Sequence, residues 1–174
     1  MFKALFLLFI LFPQLTFAAE TIRRFLLVAG ANSGGSERVE LRYAISDAEN
    51  FARVLEEMGG LQPDDRILLR QPSLEKFDQA LETLRQKIAA LDSESGQTEM
   101  LFYYSGHADE EGLLLGQERL SYQVLRRAMD AIPADVRIAV LDACASGAIT
   151  RRKGGQQQPA FLRAACGSSA RCGI

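Results

Sequence analysis

Ile138–Gly147 reads IAVLDACASG. Ile138, Ala139, Val140 and Leu141 form a short apolar run of the kind a buried strand carries, and the run stops at Asp142-Ala143-Cys144-Ala145-Ser146-Gly147, polar and small residues suited to a loop. In an α/β sheet, groups just past the carboxyl end of a strand are where ligands and chemistry collect. A thiol on such a loop is accessible and yet held by a rigid strand. A second stretch of the same form lies upstream. Glu99–His107, EMLFYYSGH, is an apolar strand that runs into Ser-Gly-His and ends on the one histidine of the chain. Two strand ends, one carrying a thiol and one an imidazole, decide how the rest is read.

Outward from these two, strand and helix alternate. Arg24–Ala31 (RFLLVAGA) is a near-continuous apolar run, as in a strand buried on both faces. Asn32–Glu40 is a loop by composition. A helix follows, with Leu41, Ala44, Ile45, Ala48, Phe51, Leu55 and Met58 at helical spacing and Gly59-Gly60 as its stop. Arg66–Arg70 is a short strand. Ser73 caps a second helix with an inner face of Phe77, Ala80, Leu81, Leu84, Ile88 and Leu91, and a polar linker, Leu91–Gln97, leads into the histidine strand. Gly112–Leu120 reads as a hairpin around Gly116. Ser121 caps a third helix with Val124, Leu125, Ala128 and Met129 inward, ended by Pro133, and Asp135–Asp142 is the last strand. This βαβαβαβ order predicts an α/β fold with a mostly parallel sheet and helices on both faces.

The 174 residues suffice for one domain with a core, 20–150, followed by an irregular tail, 151–174. A net charge of −2 gives no electrostatic case for a nucleic-acid partner. Residues 1–19 have the form of a signal peptide: Lys3 supplies the positive start, Ala4–Phe12 is apolar, and Ala18-Ala19 offers small residues for cleavage. The apolar run falls short of the ~20 residues of a spanning helix. The expectation is an exported protein, periplasmic or secreted, with no stable membrane insertion once the segment is removed. Of three cysteines, Cys166 and Cys172 lie close together in the tail and either pair or play no part; Cys144 is then the free thiol.

If the histidine and cysteine strands are neighbours, their carboxyl ends lie about 4.8 Å apart laterally. Cys144 as nucleophile needs a base, and His107 is the only imidazole able to serve. The backbone N–H groups of Ala108 and Cys144, on tight turns, are candidate oxyanion donors.

Tyr104-Ser105-Gly106-His107 and Asp142-Ala143-Cys144-Ala145-Ser146-Gly147 resemble the two signatures of the caspase-like cysteine peptidases, nearest the metacaspase branch. RFLLVAGAN and Asp47-Ala48-Glu49-Asn50-Phe51 precede them in the family's order, so the likeness runs from Arg24 to about Gly147. It implies a three-layer α/β/α sandwich, a His107–Cys144 dyad, and an oxyanion hole at the backbone of Ala108 and Cys144. Caspases place glutamine two residues before the cysteine; Asp142 here resembles metacaspases and implies a pocket for arginine or lysine. A carboxylate gives a basic side chain a charge-assisted partner. Asp47 stands at the family's position for a second pocket acid, with a solvated or capping acid as the equal alternative. Arg42 competes with this reading, because caspases hold acidic substrates with an arginine from this region. Tyr103 and Tyr104 are expected to serve sheet packing.

The expected activity is therefore a cysteine endopeptidase acting on proteins or peptides after Arg or Lys, and the Arg151-Arg152-Lys153 run past the nucleophile resembles a self-processing site. One histidine and scattered cysteines do not make a zinc site, so no cofactor is expected. Calcium activates some metacaspases, and no acidic loop gives it a place here. The tail, 148–174, shows no strand pattern where the family continues with further strands. A second reading follows: a truncated, catalytically inactive caspase-like binding or scaffold domain lacking its C-terminal strands.

Overall fold

The computed structural model describes residues 22–91 and 96–143. The expected signal segment 1–19, Cys144, the basic run Arg151–Lys153, both tail cysteines and the expected loss of C-terminal strands all concern residues outside that description. Within it, the elements follow the sequence closely: β1 (Ile22–Ala31), α1 (Ala44–Met58), β2 (Arg66–Arg70), α2 (Leu74–Ala89), β3 (Gln97–Gly106), β4 (Gly112–Leu115), β5 (Glu118–Ser121), α3 (Tyr122–Asp130) and β6 (Val136–Asp142). Four strands form one parallel sheet in the order β2-β1-β3-β6, and β4 and β5 form the antiparallel hairpin. The histidine and cysteine strands, β3 and β6, are neighbours.

Alternation along the strands sends side chains to two cores. Phe25, Leu27 and Ala29 of β1 and Met100, Phe102 and Tyr104 of β3 pack against Phe77, Leu81 and Leu84 of α2 and Leu125 and Met129 of α3. Leu26, Val28 and Tyr103 meet Ala48 and Ala52 of α1 on the opposite face. The result is the expected α/β/α sandwich.

The cap residues act as read: Ser73 Oγ accepts from Lys76 N, and Ser121 Oγ from Val124 N. Glu118 adds a second cap to α2, accepting from Leu74 N at 2.9 Å. α1 begins at Ala44, later than the pattern from Leu41 implies, because Asn32 at the end of β1 accepts from Ile45 N through Oδ1 and fixes the start there. Its buried line is Ala44, Ala48 and Ala52. A Cβ on Gly30 would lie 2.6 Å from Ile45 Cα, so small residues on both sides let helix and sheet approach. Met58, expected inward, is 83% exposed. Leu61 folds back with its N–H on Leu55 O and is buried in the α1-side core instead. Val124, also expected inward, is 44% exposed. The buried stripe of α3 is Tyr122, Leu125 and Met129, and Val124 lies one helical step off it.

At the amino end of the sheet the strands are tied in two pairs, β3 to β6 and β1 to β2, by different devices. Asp135 accepts from Thr98 N (2.7 Å) and Thr98 Oγ1 (2.8 Å), while Thr98 Oγ1 accepts from Asp135 N at 3.1 Å. This reciprocal pair aligns the starts of β3 and β6 and so sets the register at their far ends, where Ser105 is opposite Asp142. Asp65, 1% exposed, is gripped by Arg23 through two bonds of 2.8 and 3.0 Å and by Lys87 at 2.8 Å. Burial opposes its ionisation, but the hydrogen bonds from Arg23 and Lys87 prevail and hold its carboxyl below the usual carboxylate range. A lowered folded-state pKa contributes stability that is present above the unfolded value, about 4, and is lost as pH falls through the folded one. Asp65→Asn should therefore cost about 2 kcal/mol at neutral pH, and thermal melts should show the deficit shrinking as pH drops below about 4.

Candidate active site

β3 ends at Gly106, and His107 follows at its carboxyl end. Tyr104 turns back beneath the chain, so that a Cβ on Gly106 would sit 2.4 Å from its hydroxyl. From there Tyr104 Oη reaches the carbonyls of His107 (2.8 Å) and Leu114 (2.7 Å). Burial pushes its phenol well above the usual range, so it stays a donor. Tyr104 is thus a packing residue, as expected, that also anchors the backbone of the histidine.

Ala108 bridges Leu113 in antiparallel fashion, with Asp109 N on Gly112 O (3.0 Å) and Leu114 N on His107 O (2.9 Å). With the flanking residues making the bonds, the N–H of Ala108 itself points away from β4. Asp109 then locks the turn: Oδ1 accepts from Glu111 N (2.9 Å) and Gly112 N (3.0 Å), and Oδ2 takes Arg119 at 2.6 Å. Burial disfavours the charge on Asp109, yet these bonds hold its carboxyl below its ordinary range.

The imidazole is positioned from the loop after β1. His107 Nε2 lies 2.8 Å from the carbonyl oxygen of Val39. A carbonyl only accepts, so Nε2 carries the proton and Nδ1 is left as the basic nitrogen of the neutral ring. Gly34 lies close against the same side chain: a Cβ there would come within 2.5–2.6 Å of His107 Cδ2, Cβ and Cγ. The loop is itself fastened. Leu41 N donates to Asn32 O at 2.9 Å, Gln71 brackets Ser33 by accepting from its N–H (2.9 Å) and donating to its carbonyl (3.1 Å), and Gly116 N also donates to Ser33 O. Neither Gly34 nor Val39 figures in the sequence reading. Gly34 left a faint signal as part of Gly34-Gly35, whereas a backbone acceptor leaves none.

Asp142 ends β6 on the α1 side of the sheet, in register with Ser105 and Gly30. It is exposed, and Tyr103 Oη donates to its Oδ2 at 3.2 Å. Tyr103 stacks on Phe51 of α1, ring centres 4.1 Å apart and 11° from parallel. Burial pushes the Tyr103 phenol up to about 12, and the charges of Asp142 and Asp47 act in the same direction. Asp47, exposed in the first turn of α1, thus belongs to the same neighbourhood as Asp142. Tyr103 does pack, as expected, and it is also the side chain that links this neighbourhood. Arg42 is exposed on the loop before α1. Cys144 lies one residue beyond the described chain, so its distance from His107 is outside the description.

A cavity of about 410 Å³ opens at the other end of the sheet, between Arg23, Arg24, Asp64 and Asp65. Arg23 and Asp65 are engaged with each other, and Arg24 with Glu99 at 2.7 Å and Gly59 O at 2.6 Å. The charges of Arg23, Arg24 and Asp65 are spent on the fold.

No curated protein matches the chain. The caspase-domain family model matches residues 23–170, well over half of the sequence, and continues past Gly147, where the likeness of motifs ends. With a parallel sheet flanked by helices and a histidine at the end of its third strand, the chain belongs to the caspase domain family, whose chemistry is that of cysteine peptidases.

Proposed function

We propose that the chain is an endopeptidase with Cys144 as nucleophile and His107 as base, cleaving after arginine or lysine. The observation that carries this is the pinned imidazole. Its Nε2–H is committed to Val39 O, which leaves Nδ1 as the proton acceptor at the end of β3, beside the strand that leads to Cys144. Ser105 and Asp142 are paired in register, and His107 and Cys144 each follow their paired residue by two positions.

In this reading Nδ1 takes the thiol proton, and the thiolate attacks the scissile carbonyl carbon. The resulting oxyanion accepts from the N–H groups of Ala108 and Cys144. The imidazolium keeps its Nε2–H bond to Val39 O and returns the other proton to the leaving amine, which frees a thioester. Water, deprotonated by the same nitrogen, releases the acid and restores the thiol. Asp142, with Asp47 nearby, offers negative charge for the basic side chain preceding the cut. The Asp142-Ala143-Cys144 spacing supports the metacaspase-like branch, and the form of residues 1–19 supports export.

Fluorogenic peptides ending in Arg, Lys or Asp test the specificity. Arg and Lys peptides should be cut and Asp peptides ignored. Asp142→Ala should lower kcat/KM for basic peptides by about 10²-fold, the scale of one lost charge-assisted pair in a partly desolvated cleft. Preference for Asp peptides would transfer the pocket to Arg42.

A further inference from the structure

Tyr103 occupies a margin. On one side Phe51 clamps its ring; on the other, Val140, its register partner in β6, is 39% exposed. The α1 layer therefore ends over Tyr103, and the hydroxyl emerges at that edge to meet Asp142 Oδ2. A lone carboxylate at an exposed strand end would be free to turn about its two side-chain torsions. This one has a donor fixed in place by stacking. Burial pushes the phenol up to about 12, so the donor keeps its proton wherever a peptidase would work.

We infer that Tyr103 is the positioning residue of the basic pocket, holding the Asp142 carboxylate in one orientation and thereby favouring arginine over lysine. The inference rests on the reading of Asp142 as the pocket acid. The discrimination follows from the two cations. A guanidinium is a planar fork that gains most from a carboxylate presented in one plane, whereas an ammonium is a point charge largely indifferent to that plane. Loosening Asp142 should therefore harm arginine more.

The test is equilibrium binding of otherwise identical peptides ending in Arg or Lys to the full chain carrying Cys144→Ala, measured by calorimetry. Adding Tyr103→Phe, which keeps the ring and its stacking, should weaken the Arg peptide about 10-fold and the Lys peptide about 2-fold. The Arg/Lys ratio then falls about 5-fold, a change that a purely structural role for the ring would not produce. Phe51→Leu, which loosens the ring but keeps the hydroxyl, should move the ratio the same way by a smaller factor. An unmoved ratio, with both peptides still dependent on Asp142, overturns the role of Tyr103 alone. If neither peptide binds, or Asp142→Ala leaves both affinities unchanged, the pocket itself is wrong and the inference falls with it.

Discussion

Alanine at His107 should lower kcat/KM toward Arg-ending peptides by about 10³-fold, within the range general-base catalysis supplies. The expectation follows from how completely the structure prepares this ring. Its backbone is anchored by Tyr104, its proton is placed on Nε2 by Val39 O, and its following residue is bridged to Leu113. Cys144→Ala should be at least as damaging, and the double variant no worse than the single ones, as the proposed pairing of nucleophile and base in one unit requires. Single-turnover assays with matched peptides check both. Retention of more than a tenth of the activity in His107→Ala would show that the thiol is deprotonated by something else.

Alanine at Gly34 should cost about 10²-fold in kcat, the scale on which a displaced catalytic group far exceeds its steric size. The added methyl would overlap Cβ, Cγ and Cδ2 of His107, so the loop or the His107 backbone must shift as well as the ring. Turning aside, the ring loses the Val39 carbonyl and with it the proton arrangement that exposes Nδ1. The fold should survive, since the clash is with His107 alone among the three nearest atoms and not with the sheet. A circular-dichroism melt near that of the parent, together with the lost rate, separates this from unfolding. Normal kcat in a folded Gly34→Ala would mean that the ring position seen here is not the working one.

Much of this architecture is legible in the chain because strands buried on both faces announce themselves. RFLLVAGA and MLFYYSG admit few other readings, and their order with the helices forces a parallel sheet. Helix faces were less legible. In α1 the periodic apolar set pointed to Met58, but close packing over Gly30 selects the alanine line through Ala52. Pattern ranks residues by apolarity, while the approach distance between layers ranks them by size. The site divides the same way. His107 and Asp142 stand out as the imidazole and the acid at strand ends. Tyr103 is hidden inside an apolar run, where only the placement of Phe51 and the β3–β6 register reveal what its hydroxyl faces.

The Val39 carbonyl carries a consequence for how this protein tolerates change. Its side chain is 86% exposed, so residue 39 can drift through most of the amino-acid alphabet without removing the oxygen that holds His107. Position 39 would look expendable in a substitution scan while its peptide group holds the imidazole. What the molecule must preserve there is the path of the chain, set at a distance by Asn32, Gln71 and Gly116. The genetic vulnerability of the imidazole's orientation is thus displaced from the residue that touches it to the residues that shape its loop.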